Sequence, residues 1–212
     1  MQTFKNAEGK SVLLKMVRTI QENKEYLGEV DGVIGDGDHG ANMNKGFSLF
    51  LKKYENEKYS FTEGLYKLGT VLLNEIGGSM GPIYGTIFIS MSEAGKNKET
   101  IGLLELSEML EAARWELFDI VDAREGDKTL VDTLSPAIDG ICRAAEENVD
   151  FPSALMIMCD AAEKGKEYTR NLIARYGRAS RLGERSRGML DAGAVSCNLL
   201  LRAMADGIME LL

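Results

Sequence analysis

The chain has 212 residues, of which 27% are charged and 44% hydrophobic, and a formal net charge of −8 at pH 7. A chain of this length buries roughly 70% of its unfolded surface, so it can fold without disulfides or a structural metal. The acidic excess argues against a general nucleic-acid binder, because phosphate backbones would be repelled. We find neither a membrane-spanning apolar stretch nor a secretion signal. We therefore expect a cytoplasmic protein without nucleic-acid or membrane partners.

Apolar residues recur at helical spacing along the chain, as in Leu13, Met16, Val17 and Ile20. Interruptions of this pattern predict about eight helices, near residues 10–28, 39–57, 61–76, 82–96, 103–123, 129–148, 152–176 and 192–211. No strand pattern is evident. We therefore predict an all-α fold with a single domain covering residues 1–212. The widely spaced cysteines indicate buried reduced thiols and no disulfide framework (Cys142, Cys159 and Cys197).

Local signals fix two of the predicted helix starts. Ser60 followed by Glu63 forms a capping box, and Pro152 suits a first helical turn. Short connections make successive helices antiparallel, so alternate loops lie at the same end of the bundle. Four loops that contain unusual residues are expected to meet there: 31–38, 77–81, 124–128 and 177–193.

The strongest motif is the aspartate-rich stretch from Val30 to Asn42, which contains Asp31, Asp36 and Asp38 among four glycines. Glycines allow the backbone to curl, so the three carboxylates can converge. Converging carboxylates need neutralisation, and oxygen ligands favour a hard cation such as Mg²⁺, Mn²⁺ or Ca²⁺. A turn that merely caps the next helix would give a similar pattern. The position of His39, the only histidine, favours a nucleotide contact over a phosphorylated carrier or a simple helix start.

Two further motifs precede predicted helices. The glycines of the stretch 77–85 leave backbone N–H groups open to an anion, although a glycine-rich helix–helix turn would look the same. The second of these motifs is Gly126-Asp-Lys-Thr129. A purely structural role would explain it, with Asp127 capping the helix and Lys128 as a solvated surface charge.

The fourth motif is rich in arginine. Six arginines lie within eighteen residues, 170–187, which we call the arginine segment. Arginine suits bidentate phosphate contacts, so the segment indicates a surface for phosphate or an acidic partner. A solvated basic strip is the alternative interpretation. The four motifs together can hold metal and phosphate but provide no evident nucleophile or general base, so no catalytic residue is assigned.

These motifs resemble those of the nucleotide-binding L subunit of bacterial dihydroxyacetone kinases. The resemblance runs in chain order over nearly the whole sequence. It passes through Ile34-Gly-Asp-Gly-Asp-His-Gly-Ala-Asn-Met-Asn, Gly77-Gly-Ser-Met-Gly-Pro, Gly126-Asp-Lys-Thr, Gly177-Arg-Ala-Ser, Leu182-Gly-Glu-Arg-Ser and Asp191-Ala-Gly-Ala. It implies a closed barrel of eight antiparallel amphipathic helices with the nucleotide site at one end.

The resemblance also implies a site for ADP or ATP with two Mg²⁺ ions held by Asp31, Asp36 and Asp38. Three aspartates plus ADP carry about −6, which two Mg²⁺ ions would reduce to about −2. The sequence departs from the family at Met80, where a serine is common. The implied nucleotide-binding residues are His39, Gly40, Ala41, Asn42, Gly78, Ser79, Met80, Leu130, Arg178, Asp191, Ala192 and Gly193.

The implied activity is that of a phosphotransferase subunit, part of a glycerone kinase dependent on the phosphotransferase system. A phosphohistidine-bearing M subunit would rephosphorylate bound ADP, and the ATP formed would phosphorylate the ketose on a separate K subunit. One alternative is a nucleotide-dependent module acting on a transcription regulator. Another is the L subunit of an ATP-dependent kinase for another short ketose such as erythrulose. The sequence leaves open the ketose, the phosphoryl donor and the oligomeric state, a homo-oligomer included.

Overall fold

The computed structural model describes residues 2–212, and within them the fold is all-α apart from two short strands. The strands β1 (Thr3–Lys5) and β2 (Thr100–Gly102) pair antiparallel, with Phe4 opposite Ile101. The helices of these residues are α1 (Lys10–Glu22), α2 (Lys24–Ile34), α3 (His39–Tyr54), α4 (Phe61–Glu75), α5 (Met80–Gly95), α6 (Leu103–Ile120), α7 (Val131–Glu146), α8 (Phe151–Tyr168) and α9 (Ala192–Met209). None of the helices described has both the length and the apolar character that a membrane span requires.

Eight of these helices form a closed ring. Contacts run in order from α1 through α3, α4, α5, α6, α7 and α8 to α9, and α9 returns to α1. Each helix turns its apolar face inward, so that Val17, Phe47, Leu68 and Ile138 are fully buried in one continuous core. The predicted closed barrel of antiparallel amphipathic helices is therefore confirmed.

The ninth helix arises because the first predicted helix breaks at Asn23. Helix α2 then continues to Ile34, so Asp31 lies on a helix and not in the predicted loop 31–38. The apolar spacing of Leu27, Val30 and Ile34 supports this continuation. Helix α2 packs against α3 and α9 at one end of the ring.

The seventh predicted helix, 152–176, was too long. Helix α8 ends at Tyr168, and residues 169–171 and 178–186 form 3₁₀ turns. The carbonyl oxygens just beyond the helix find partners elsewhere: that of Thr169 accepts from Lys128 Nζ, and that of Arg170 accepts from the backbone N–H of Gly188. Tertiary contacts thus replace the helical hydrogen bonds that the sequence pattern predicted.

Both predicted local signals are confirmed. The Ser60 side chain accepts from the backbone N–H of Glu63, whose carboxylate accepts from the backbone N–H of Ser60. Pro152 lies in the first turn of α8. The cysteines are free thiols as predicted, with Cys159 and Cys197 buried and Cys142 partly buried.

Candidate nucleotide and metal site

A cavity of about 460 Å³ lies at one end of the barrel. All four unusual loops contribute to its wall, for example through Asp36, Ser79, Lys128 and Arg178. Helices α3, α5, α7 and α9 begin at this wall, so their N-terminal partial positive charges face the same space. The predicted gathering of the four loops is confirmed, and the cavity suits an anionic ligand.

The three aspartates converge at the mouth of this cavity. Asp31 lies on the last turn of α2, and Asp36 and Asp38 lie in the turn before α3. One carboxylate oxygen of each lies within 4.8 Å of the other two. Gly37, with φ of 77°, makes the turn possible and packs against Gly28 and Gly32.

The electrostatics of the cluster favour a cation. Burial, together with the neighbouring Asp36 carboxylate, raises the pKa of Asp38 above its ordinary value. A divalent ion would relieve this repulsion, and an oxygen-only ligand set matches Mg²⁺ chemistry. The donor set therefore fits the metal that the sequence predicts.

Arg178 is the member of the arginine segment that reaches this cluster. Its Nη1 lies 2.6 Å from Asp36 Oδ2. Several other arginines of the segment are neutralised locally: Arg170 pairs with Glu167, Arg175 with Asp127, and Arg187 with Glu184. The broad basic surface suggested by composition is thus largely balanced, and Arg178 brings positive charge to the cavity itself.

His39 is buried beneath the site at the start of α3. Its Nε2 lies 2.9 Å from Ser196 Oγ, which in turn lies 2.7 Å from the hydroxyl of Tyr84. Its backbone N–H donates to Asp31 Oδ2 at 3.3 Å. Burial lowers the pKa of His39 to about 4, although the Asp31 carboxylate opposes this shift, so the ring is neutral at pH 7. The ring connects α3, α5 and α9 while bordering the cavity.

The three predicted nucleotide-binding residues that follow His39 are not part of the cavity wall. A Cβ at Gly40 would lie 2.0 Å from the carbonyl oxygen of Lys24, so Gly40 permits α3 to pack closely on α2. Ala41 is exposed, and the backbone N–H of Asn42 donates to the carbonyl oxygen of Asp38 at 2.9 Å. The described residues of the cavity wall do not include Gly40, Ala41 or Asn42.

Most of the other predicted residues do border the cavity. Ser79 and Met80 lie at the start of α5, while Gly78 lies outside the wall with φ of 71°. Leu130 precedes α7, and Asp191, Ala192 and Gly193 form the start of α9.

Asp191 caps α9, because its Oδ2 accepts from the backbone N–H of Ala194 at 2.8 Å. Burial raises the pKa of Asp191 to about 6, although this hydrogen bond and the Lys128 ammonium both oppose the shift.

Sequence reasoning missed some of the wall. Ile83 and Tyr176 contribute to it, although neither was among the predicted site residues; both lie inside recognised stretches, 77–85 and the arginine segment. The interpretation of Lys128 as a solvated charge was wrong, since its side chain is buried with 1% exposure. Its Nζ donates to the carbonyl oxygens of Thr169 and Met189, each at 2.5 Å. Asp127 does not cap α7 either; Asp132 accepts from the backbone N–H groups of Gly126 and Thr129.

A barrel of helices with three converging carboxylates and a cavity bordered by helix N-termini at one end has the features of a protein that binds metal-complexed phosphate groups. Comparison with known families is specific: the chain belongs to the DAK2 domain family, which matches residues 33–206. It is 38% identical over 186 residues to the ADP-binding subunit DhaL of PEP-dependent dihydroxyacetone kinase 1 from Listeria innocua, covering 87% of this chain and 88% of that one. The corresponding Escherichia coli subunit is 36% identical over 184 residues, covering 85% and 87%.

Solved structures show the same fold. The dihydroxyacetone kinase of C. freundii, in complex with AMP-PNP and Mg²⁺, matches 97% of this chain with a TM-score of 0.68 at 22% identity. The match covers 35% of the kinase chain, so the present chain spans about a third of that protein's length.

Proposed function

We propose that this chain is the ADP/ATP- and Mg²⁺-binding subunit of a dihydroxyacetone kinase. It would receive a phosphoryl group from a phosphohistidine-bearing partner of the phosphotransferase system and pass it to a ketose held on a separate K subunit. The observation that carries this proposal is the convergence of Asp31, Asp36 and Asp38 at the mouth of a cavity bordered by helix N-termini. The naming of its relatives as ADP-binding kinase subunits supports the same assignment.

The cavity offers separate surroundings for the two halves of a nucleotide. Ile83, Leu130 and Val131 provide apolar surface suited to a base, whereas the aspartates and Arg178 suit metal-bound phosphates. We assign Asp31, Asp36 and Asp38 to two Mg²⁺ ions. The predicted nucleotide residues that border the cavity are assigned to the nucleotide itself.

The residues of this chain would bind and orient the nucleotide and its metal ions. Bound nucleotide with Mg²⁺ supplies the transferable phosphoryl group. Arg178 and the helix N-termini would stabilise the negative charge that phosphoryl transfer spreads over oxygen atoms. His39 is unsuited to carry the phosphoryl group, because its ring is buried and its Nε2 contacts Ser196. The acceptor hydroxyl would be that of the ketose on the K subunit, and a base that deprotonates it would belong to that subunit, since the motifs of this chain provide no evident general base.

A reconstituted transfer assay tests the proposal. The chain would be combined with a purified phosphohistidine donor and a purified ketose-binding subunit, and phosphorylated dihydroxyacetone would be measured, with erythrulose in a parallel reaction. We expect transfer with the wild-type chain and none with Asp36→Ala, whose helical circular dichroism signal should be intact. The matched control is Asp160→Ala, which removes an exposed aspartate of α8 outside the cavity wall. Normal transfer by Asp36→Ala would contradict the proposal.

A further inference from the structure

The arginine segment is a loop with a narrow neck. Its two ends meet where the backbone N–H of Gly188 donates to the carbonyl oxygen of Arg170 at 2.7 Å. Arg187 Nη1 donates to the carbonyl oxygen of Asn171, and the backbone N–H of Asp191 donates to Thr169 Oγ1 at 3.2 Å. Residues 169–171 and 187–191, which we call the neck, therefore fix the base of the loop that carries Arg178.

Lys128 lies inside this neck. Its ammonium group donates to Thr169 on one side and to Met189 on the other, so a single charged donor joins both ends of the loop. The preceding residue adds two contacts: the carbonyl oxygen of Asp127 accepts from the backbone N–H of Arg175, and its Oδ1 lies 3.4 Å from Arg175 Nε. The residues just before α7 are thereby attached to the neck at Thr169 and Met189 and to the arginine segment at Arg175.

The backbone conformation of Lys128 is strained, which indicates that the contacts of its side chain are important. Its φ is 61°, a left-handed conformation that glycine adopts freely and that costs other residues energy. A lysine at such a position is favourable only where its side chain makes contacts that offset the strain. Two short hydrogen bonds from a buried ammonium group are contacts of that kind.

We propose that Lys128 is a positioning residue of the nucleotide site, whose buried ammonium closes the neck and so holds Arg178 beside Asp36. The inference rests on the proposed function for its effect on nucleotide binding, although the closure of the neck is independent of it. The alternative role for a lysine in a phosphate site is direct contact with phosphate. The geometry favours the neck, because the ammonium group donates to two carbonyl oxygens of the neck at 2.5 Å each, although the residue also borders the cavity.

The first test measures hydrogen exchange in the ligand-free protein. Lys128→Met keeps most of the apolar stem and removes the charge. We expect the amides of Ala174, Arg175 and Gly188, which donate hydrogen bonds within or near the loop, to exchange at least tenfold faster, with the barrel helices unchanged. Lys164→Met, at an exposed position of α8, is the matched control and should exchange like wild type.

Unchanged protection of the three amides in Lys128→Met would overturn the proposal. Loss of the helical circular dichroism signal, both in Lys128→Met and in the milder Lys128→Gln, would also overturn it, because Lys128 would then support the whole barrel. Lys128→Gly separates the two properties of the position. It relieves the backbone strain but should open the neck as Lys128→Met does, and full protection in that variant would contradict a role for the ammonium.

The second test is a double-mutant cycle on Mg²⁺–ADP binding, measured by calorimetry. If Lys128 acts through Arg178, Lys128→Met should weaken binding about tenfold in the wild-type background and less than threefold in an Arg178→Gln background. Independent, additive losses would mean direct phosphate contact and would overturn the proposal. If the wild-type chain bound no Mg²⁺–ADP, the proposed function would fail, while the exchange experiment would still decide whether Lys128 closes the neck.

Discussion

Substitution of Gly40 by alanine perturbs the contact on which the metal cluster depends. Helix α2 carries Asp31, whereas Asp38 immediately precedes α3, so the packing of these two helices sets the spacing of the carboxylates. The Cβ of an alanine would lie 2.0 Å from the carbonyl oxygen of Lys24 and 2.8 Å from the backbone nitrogen of Gly28. Both neighbours are backbone atoms, and neither can rotate away.

The expected cost follows from this geometry. Restoring an ordinary contact with Lys24 requires the helices to separate by roughly 1.4 Å at this point. Overpacking of a well-packed interface costs about 1–3 kcal/mol, and a clash with backbone on both sides belongs at the upper end. For a domain of this size a loss of ~3 kcal/mol lowers the melting temperature by roughly 6–12 °C. The same shift moves Asp31 away from Asp36 and Asp38, so we expect weaker Mg²⁺–ADP binding as well.

Urea unfolding and calorimetric binding measure the two effects of Gly40→Ala. The control is Gly77→Ala, because a Cβ at Gly77 meets nothing within 4 Å and its backbone does not require glycine. We expect the control to match wild type in stability. A Gly40→Ala variant as stable as the control would show that α2 and α3 are not in backbone contact at this glycine, and the reasoning would fail.

Three further outcomes are expected. Burial raises the pKa of Asp191 to about 6 from 3.8, so the folded state favours the protonated carboxyl and this contribution to stability is lost as pH rises through 6. Between pH 4 and 7 this effect should lower the unfolding free energy of the wild type by up to ~3 kcal/mol. The Asp191→Asn variant should not show this part of the decline, and parallel stability–pH profiles of the two proteins would contradict the prediction. Because Cys159 and Cys197 are buried whereas Cys142 is only partly buried, a thiol reagent should modify Cys142 first in the native protein; rapid reaction of Cys159 or Cys197 would contradict the fold. Phe47→Ala should cost about 3–5 kcal/mol in urea unfolding, since Phe47 is fully buried against Phe88, and a loss below 1 kcal/mol would be inconsistent with this core.

Local signals in the sequence predicted much of the fold. Apolar residues three and four apart made most helices recognisable, and the capping box at Ser60 and Glu63 fixed a helix start. Alternation of short loops was enough to predict that the aspartates, the glycine turn and Arg178 would meet at one end. These features depend on residues close together in the chain or on connectivity, and both are readable without coordinates.

Features that depend on distant partners were not predicted. The two strands are only three residues long, too short for an alternating pattern, and they pair across nearly a hundred residues. Lys128 looked like a surface charge because the carbonyl oxygens that hold it belong to residues 41 and 61 positions away. Gly40 looked like a ligand contact, whereas its lack of a side chain matters for the packing of α3 against Lys24.

The central claim is that three aspartates form a metal-dependent nucleotide site, and titration of ADP into the purified chain by calorimetry tests it most directly. Wild-type protein and Asp160→Asn should bind ADP with Mg²⁺ present, and binding should be lost when the metal is removed with a chelator. Asp36→Asn should weaken Mg²⁺-dependent binding at least a hundredfold while the barrel stays folded. Equal affinity for ADP with and without Mg²⁺, or in wild type and Asp36→Asn, would contradict the account.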